Sequence, residues 1–186
     1  MIHKKRREEL LSKLGDDAVV IVSTNSEQKR NSDVNFPFRP DSSFWYLTGF
    51  IEPDAIAVFS KNNYSIFLRP KDKTQEIWNG VRLGVDLAPE TLLVDHAYDI
   101  GTFTDEIKIL INKESSLYFD KPTSDGWKNR ASTNILNKTI ASIFESSIQP
   151  LNPYLSEMRL IKDTTEVKNM QTAANLASKA HMKAMV

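Results

Sequence analysis

RNSDVNFPFRPDSSFWYLTGFIEP, residues Arg30 to Pro53, decides how the rest of the chain is read. It holds Phe36, Phe38, Phe44, Trp45, Tyr46 and Phe50, six of the seventeen aromatic residues, so a large share of the apolar mass sits in one short segment. Charges (Asp33, Arg39, Asp41) and prolines (Pro37, Pro40, Pro53) are interleaved with them. Neither helix nor strand periodicity fits the first half. Pro37 and Pro40 lock φ, remove backbone donors and bias the preceding residue towards extended geometry, so Asn35 to Pro40 is expected to be stiff and extended. Asp41 is placed to cap a short helix over Ser42 to Thr48, and Gly49 to end it in a left-handed conformation. Two readings of the aromatics stand open. They plug a core, since buried aromatics dominate core energetics, or they form a recognition loop on which Asp33 and Arg39 face a site.

Outward from this stretch, elements alternate. Lys4 to Leu14 reads as an amphipathic helix with Leu10, Leu11 and Leu14 on one face and Gly15 as its stop. The basic residues of Lys4 to Arg7 are expected on its solvated face. Ala18 to Ser23 (AVVIVS) suits a strand covered on both sides. Ala55 to Ser60, a Lys61-Asn62-Asn63 turn and Tyr64 to Leu68 read as a hairpin. Lys71 to Asn79 becomes helical towards its end and stops at Gly80, and Pro89 to Leu92 can begin another helical turn. Tyr98 to Ile111 carries Ile100, Phe103, Ile107 and Ile111 at helical spacing. Leu117 to Phe119 is a short strand, Asp125 to Phe144 a long helical candidate, and Ile148 a last short strand. Strands separated by helices point to an α/β fold, and the hairpin makes its sheet mixed.

In the tail, Asp163-Thr164-Thr165-Glu166 has the spacing of a capping box. Val167, Met170, Ala174, Ala177, His181 and Ala184 then mark one face of a long helix that meets no stop signal before Val186. An apolar helix with no end is expected to continue, so the chain is expected to be part of a longer polypeptide, cut inside the first helix of a second domain.

Composition excludes several function classes. Lys plus Arg and Asp plus Glu both number 24 in 186 residues, so there is no basic footprint for nucleic acid. No apolar run approaches the roughly 20 residues of a membrane span. The basic start, MIHKKRREELLSKLG, lacks the apolar centre of a secretory signal. No cysteine is present, which rules out disulfides and thiolate chemistry and is compatible with a cytoplasmic location. His3, His96 and His181 are scattered outside any HExxH-type spacing, and no phosphate-binding glycine loop or GxSxG elbow occurs. On the apolar helical face, His181 reads as a packed side chain. No catalytic residue and no metal ligand is therefore assigned.

The string RNSDVNFPFRPDSSFWYLTGF resembles the signature of the N-terminal domain of aminopeptidase P (Xaa-Pro aminopeptidase), in the creatinase/prolidase group. Two further stretches fit in the same order: EIWNGVRLG, Glu76 to Gly84, and EMRLIKDTTEVKNMQTAANLASKAHMKAM, Glu157 to Met185. The resemblance implies a ribonuclease-H-like, three-layer α/β/α domain with a mixed central sheet over residues 1–155. Residues 156–186 would be a linker and the truncated first helix of a C-terminal pita-bread metallopeptidase domain. In the family two metal ions, usually manganese, are bound there by two Asp, one His and two Glu, so this segment alone is expected to be inactive. The expected substrate is a peptide with proline at its second position, and homo-oligomer contacts are implied.

The family's tryptophan in EIWxGxRLG reaches a neighbouring subunit's active site. The matching residue is Trp78, with Arg82 nearby. A Trp face offers apolar area and one N–H to a proline peptide; the plainer reading is a Trp that packs a helix onto the sheet. Trp78, Arg82, Asp33 and Arg39 are the candidate substrate-binding residues. Asn79 and Val81 occupy variable positions of the motif, and Pro40 stands where a polar residue is more usual. Two other readings keep the fold. One is a stand-alone binding or oligomerisation module, favoured by the lack of metal ligands. The other is the N-terminal domain of a prolidase or creatinase relative, which the aromatic string disfavours.

Overall fold

Five consecutive apolar residues, all but Ala18 β-branched, suit a strand covered on both faces, and in the computed structural model Ala18–Ser23 forms the strand β1, buried on both sides. Residues 2–111, 115–119, 139 and 148–185 are described. The helix expected over Asp125 to Phe144 lies outside them, apart from Thr139. The chain divides into two compact units, Met1–Asn152 and Pro153–Val186.

In the first unit β1 pairs antiparallel with β4 (Ile56–Phe59), and β4 antiparallel with β5 (Tyr64–Leu68). This is the expected hairpin, with Ile56 opposite Phe67 and Phe59 opposite Tyr64. On the outer side of β5 runs β6 (His96–Asp99), parallel to it. On the other side of β1, β7 (Ser116–Tyr118) and then β8 (Ile148–Gln149) add parallel strands. The order β6-β5-β4-β1-β7-β8 is thus a mixed sheet. Side chains alternate between faces. Val19, Ile21, Ile56, Val58, Phe67 and Leu117 make one core with Phe103, Ile107 and Ile111 of the helical stretch that follows β6. Phe67 stacks on Tyr98 at 5.0 Å and meets Phe103 edge-on at 4.9 Å. Each such fully buried side chain contributes about 1.5–3 kcal/mol.

The helices follow local signals. α1 (Ile2–Leu14) buries Leu10 and Leu14. α2 (Ser42–Thr48) is capped as expected: the Asp41 carboxylate accepts the Ser43 and Phe44 N–H groups, and Gly49 ends it at φ +71°. α2 packs on β1 and α1 packs on α2. α3 (Lys73–Asn79) starts at Asp72, α4 (Gly84–Leu92) follows, and α5 spans Phe103–Leu110. α6 (Asn152–Met158) opens at the last residue of the first unit, and α7 (Thr164–Ala184) follows in the second. The capping box of α7 is complete, Asp163 accepting from Thr165 and Glu166 while Glu166 accepts from the Asp163 N–H.

Several expectations need correction. Tyr98 and Asp99 are strand rather than helix, because Tyr98 stands opposite Phe67 in the β5–β6 ladder. The Asp99 side chain then accepts the Gly101 N–H and starts a single 3-10 turn before α5. Pro89 lies inside α4 instead of opening it, since the helix begins five residues earlier at Gly84. A small hairpin, β2 (Lys29–Asn31) with β3 (Val34–Asn35), precedes the proline-rich stretch and was not expected. It turns at Ser32, which holds a positive φ of 43°. Arg6 and Arg7 are buried, each only 7% exposed, where a solvated face was expected. Their guanidinium groups serve as donors to the end of α2.

Candidate functional site

The aromatic stretch splits in two. Phe44, Tyr46 and Phe50 are buried in the core, whereas Phe36 and Trp45 are exposed and Phe38 is half-buried. The core-plug reading thus holds for Phe44, Tyr46 and Phe50, while Phe36 and Trp45 stay at the surface. Its first half is a surface strap. The Phe36 N–H donates to the Gln28 carbonyl, and the Arg30 guanidinium lies 5.9 Å from the Phe36 ring. Asp33 is exposed beside the turn residue Ser32. Arg39 is exposed, with one long contact of 3.4 Å from Nη2 to the Ser42 hydroxyl. The strap is tied down by the Asn25 amide, which donates to the Arg39 carbonyl at 3.2 Å, and by the Asp41 N–H donating to the Thr24 hydroxyl at 3.2 Å.

The second half of α2 is plugged from α1. The last carbonyls of a helix lack partners within it. Here His3 Nδ1 donates to the Tyr46 carbonyl at 3.0 Å, Arg6 Nη1 to the same oxygen at 3.3 Å, and Arg7 Nη1 to the Leu47 carbonyl at 2.7 Å. Each guanidinium also lies over a ring, Arg6 over Tyr46 at 3.9 Å and Arg7 over Tyr64 at 3.7 Å. Burial holds the His3 imidazole below its ordinary value; the Tyr46 carbonyl opposes this, and Arg6, Arg7 and the chain's amino terminus add to it. Burial also pushes the Tyr64 phenol up to about 12, against the pull of Arg7.

Trp78 is on an arm that leaves the body of the fold. α3 has no buried residue. Ile77, Trp78 and Val81 are 78, 82 and 84% exposed. Trp78 therefore does not pack a helix onto the sheet. What holds the arm is polar. The Asp72 carboxylate accepts the Thr74 and Gln75 N–H groups at 3.0 and 3.1 Å. Glu76 Oε1 accepts the Arg82 N–H at 2.8 Å, and Arg82 Nη1 donates to the Pro70 carbonyl at 3.1 Å. At the far end, Glu52 Oε1 accepts the Leu83 N–H at 2.7 Å.

The four candidate residues thus fall into two pairs, Asp33 with Arg39 on the strap and Trp78 with Arg82 on the arm. Among the described residues no hydrogen bond or ion pair joins one pair to the other. Both supports nevertheless converge on Glu52 to Asp54. Leu83 is held by Glu52, and Asn25, which holds Arg39, accepts the Asp54 N–H at 3.1 Å on its own carbonyl. Sequence reasoning missed Glu52, Glu76 and Asn25. Glu76 lay within the EIW motif and Glu52 beside Pro53, yet an acceptor for a distant backbone N–H leaves no periodic signal.

Among the described residues no group of three or more His, Asp or Glu side chains could hold a metal ion. A two-metal centre does not fit them. No helix among these residues is long and apolar enough to cross a membrane.

Comparison with known proteins agrees with this layout. Residues 3–118 match the family model described as aminopeptidase P, N-terminal domain. A Xaa-Pro aminopeptidase of Haemophilus influenzae is 36% identical over 98% of this chain and 42% of its own length. A Xaa-Pro aminopeptidase of Escherichia coli is 32% identical over 98% of this chain and 43% of its own length. The solved structure of proline aminopeptidase P II from Yersinia pestis superposes with a TM-score of 0.87 at 29% identity, over 99% of this chain and 44% of that one. The chain thus spans about two fifths of the length of these relatives. With its strap, its arm and its mixed sheet, the chain belongs to the aminopeptidase P N-terminal domain family.

Proposed function

We propose that this chain is the non-catalytic, recognition half of a Xaa-Pro aminopeptidase, a hydrolase that removes an N-terminal residue preceding proline. The observation that carries the reading is the Trp78 arm: a tryptophan that is 82% exposed on a helix with no buried residue. Exposed aromatic surface held on a polar clasp suits a binding role better than a packing one. The indole face supplies apolar area for a proline ring, and Arg82 keeps guanidinium donors beyond the one spent on Pro70. Asp33 and Arg39 supply opposite charges for the polar ends of a peptide.

In this reading residues 1–155 form the N-terminal domain, and residues 156–186 lead into a C-terminal catalytic domain. Two manganese ions would be held there by ligands outside this chain. The Ile77–Trp78–Val81 surface would lie against a neighbouring subunit of a homo-oligomer, in the cytoplasm, with neither nucleic acid nor membrane as partner.

The test is Trp78→Ala in the polypeptide that joins this chain to the family's catalytic region. Loss of an aromatic contact worth ~1–1.5 kcal/mol lowers kcat/KM for an Xaa-Pro peptide by about tenfold, with the melting temperature unchanged. Unchanged kinetics would remove Trp78 from recognition and favour a stand-alone binding or oligomerisation module of the same fold.

A further inference from the structure

A helix with no buried residue has no apolar packing to fix its direction, yet an aromatic recognition surface is useful only if it points one way. The arm from Lys71 to Gly84 meets this need with two carboxylates. Arg82 and Leu83 are consecutive, and their N–H groups are accepted by different acids: Glu76 from within the arm at 2.8 Å, and Glu52 from the body of the fold at 2.7 Å. The two acids do different work. Glu76 closes the arm on itself, joining α3 to the strand of chain that returns from it. Glu52 ties the returning chain to the body at Leu83, just before α4, which itself packs on β6 and β5. It lies between the buried Phe50 and the buried Pro53, in the short connection that leads from α2 to β4.

The neck of the arm is closed as well. Gly84 holds φ at +72°, and a Cβ there would stand 2.6 Å from the Lys71 side chain, so the two ends of the arm touch. One feature argues against Glu52 as a mere stabiliser of the fold. The second oxygen, Oε2, is buried without a hydrogen-bond partner among the described residues, which is unfavourable for a carboxylate. An apolar residue at this site would avoid that penalty and lose the grip on Leu83.

We infer that Glu52 is a positioning residue for Trp78: its carboxylate holds the Leu83 backbone and thereby sets the direction in which the arm presents the indole. The inference rests on the reading of Trp78 as a recognition residue, and its test is independent of activity. In heteronuclear NMR of the 186-residue chain, Glu52→Ala speeds exchange of the Leu83 amide by about tenfold or more and raises the mobility of the Trp78 indole N–H, while the amides of Val58 and Ile66 in the sheet keep their protection. Glu52→Gln keeps a carbonyl acceptor and restores both signals. Glu76→Ala, placed within the arm and away from the core, loosens the Trp78 indole in the same way.

Leu83 exchange and indole mobility unchanged in Glu52→Ala would overturn the assignment. So would a loss of sheet protection in that variant, which would make Glu52 a residue of the fold instead. If Glu52→Ala does not fold, Glu52→Leu takes its place, and unchanged Leu83 exchange with an unmoved indole in that variant overturns it. Should Trp78→Ala leave kinetics unchanged while these NMR results hold, the clasp stands and the recognition reading fails; the opposite pair of results removes the clasp alone.

Discussion

The Arg7 guanidinium donates to the Leu47 carbonyl at 2.7 Å, joining the N-terminal helix to the end of the helix that carries the family's aromatic signature. The contact gives the buried Arg7 a direct partner, while the charges of Glu8 and Asp95 also favour its guanidinium. The C-terminal carbonyls of α2 are unpaired within the helix and carry the negative end of its dipole, so they act as a diffuse anion. Arg7 then lies 3.7 Å over the Tyr64 ring, which adds a cation–π contact from the sheet.

Arg7→Ala removes the donor and leaves the Leu47 carbonyl covered, so it destabilises the chain by about 1.5–3 kcal/mol in urea unfolding. Lys5→Ala, two residues away and exposed, stays within about 0.5 kcal/mol of the parent. Equal effects of the two would show that α1 is not keyed to α2 through Arg7.

His3 makes the same junction sensitive to pH. Burial keeps its folded-state value below the ordinary 6.5, so the unfolded chain takes up the proton first as pH falls. The stability that His3 contributes is present in full above the ordinary value. It declines as pH drops through that value towards the folded one. Urea midpoints at about pH 7.5 and about pH 5 are expected to lie closer together in His3→Gln than in the parent. The same separation in both would mean that other groups set the acid response.

Gly49 is constrained twice. Its φ of +71° disfavours a side chain, and a Cβ there would lie 2.6 Å from His3 Nε2. Gly49→Ala costs about 1–3 kcal/mol of stability through the left-handed backbone alone. A double-mutant cycle with His3→Ala recovers the steric part, because truncating the ring removes the clash. An additive cycle would limit the role of Gly49 to its backbone.

What was legible in the sequence was local. Asp41 and Gly49 bracket α2, and Asp163 with Glu166 opens α7, because capping acts over two or three residues. The apolar runs at Ala18 and Tyr64 could be nothing but strands. Arg6 and Arg7 were misread because their partners, the carbonyls of Tyr46 and Leu47, are some forty residues away and carry no side-chain signature. Tyr98 misled through a coincidence: Ile100, Phe103, Ile107 and Ile111 share helical spacing, and the strand preceding them ends only at Asp99. The β2–β3 hairpin is short, polar and exposed, with no alternation to announce it. For the candidate site, the motif named Trp78 and Arg82, but only the fold reveals that Glu76 accepts the Arg82 N–H and Glu52 the Leu83 N–H.

Release of the N-terminal residue from an Xaa-Pro peptide by the purified 186-residue chain, with manganese added, tests the division of labour most directly. The proposed recognition half, with no metal-holding group among its described residues, predicts no turnover above the peptide's spontaneous rate. Manganese-dependent cleavage by these residues alone would contradict it.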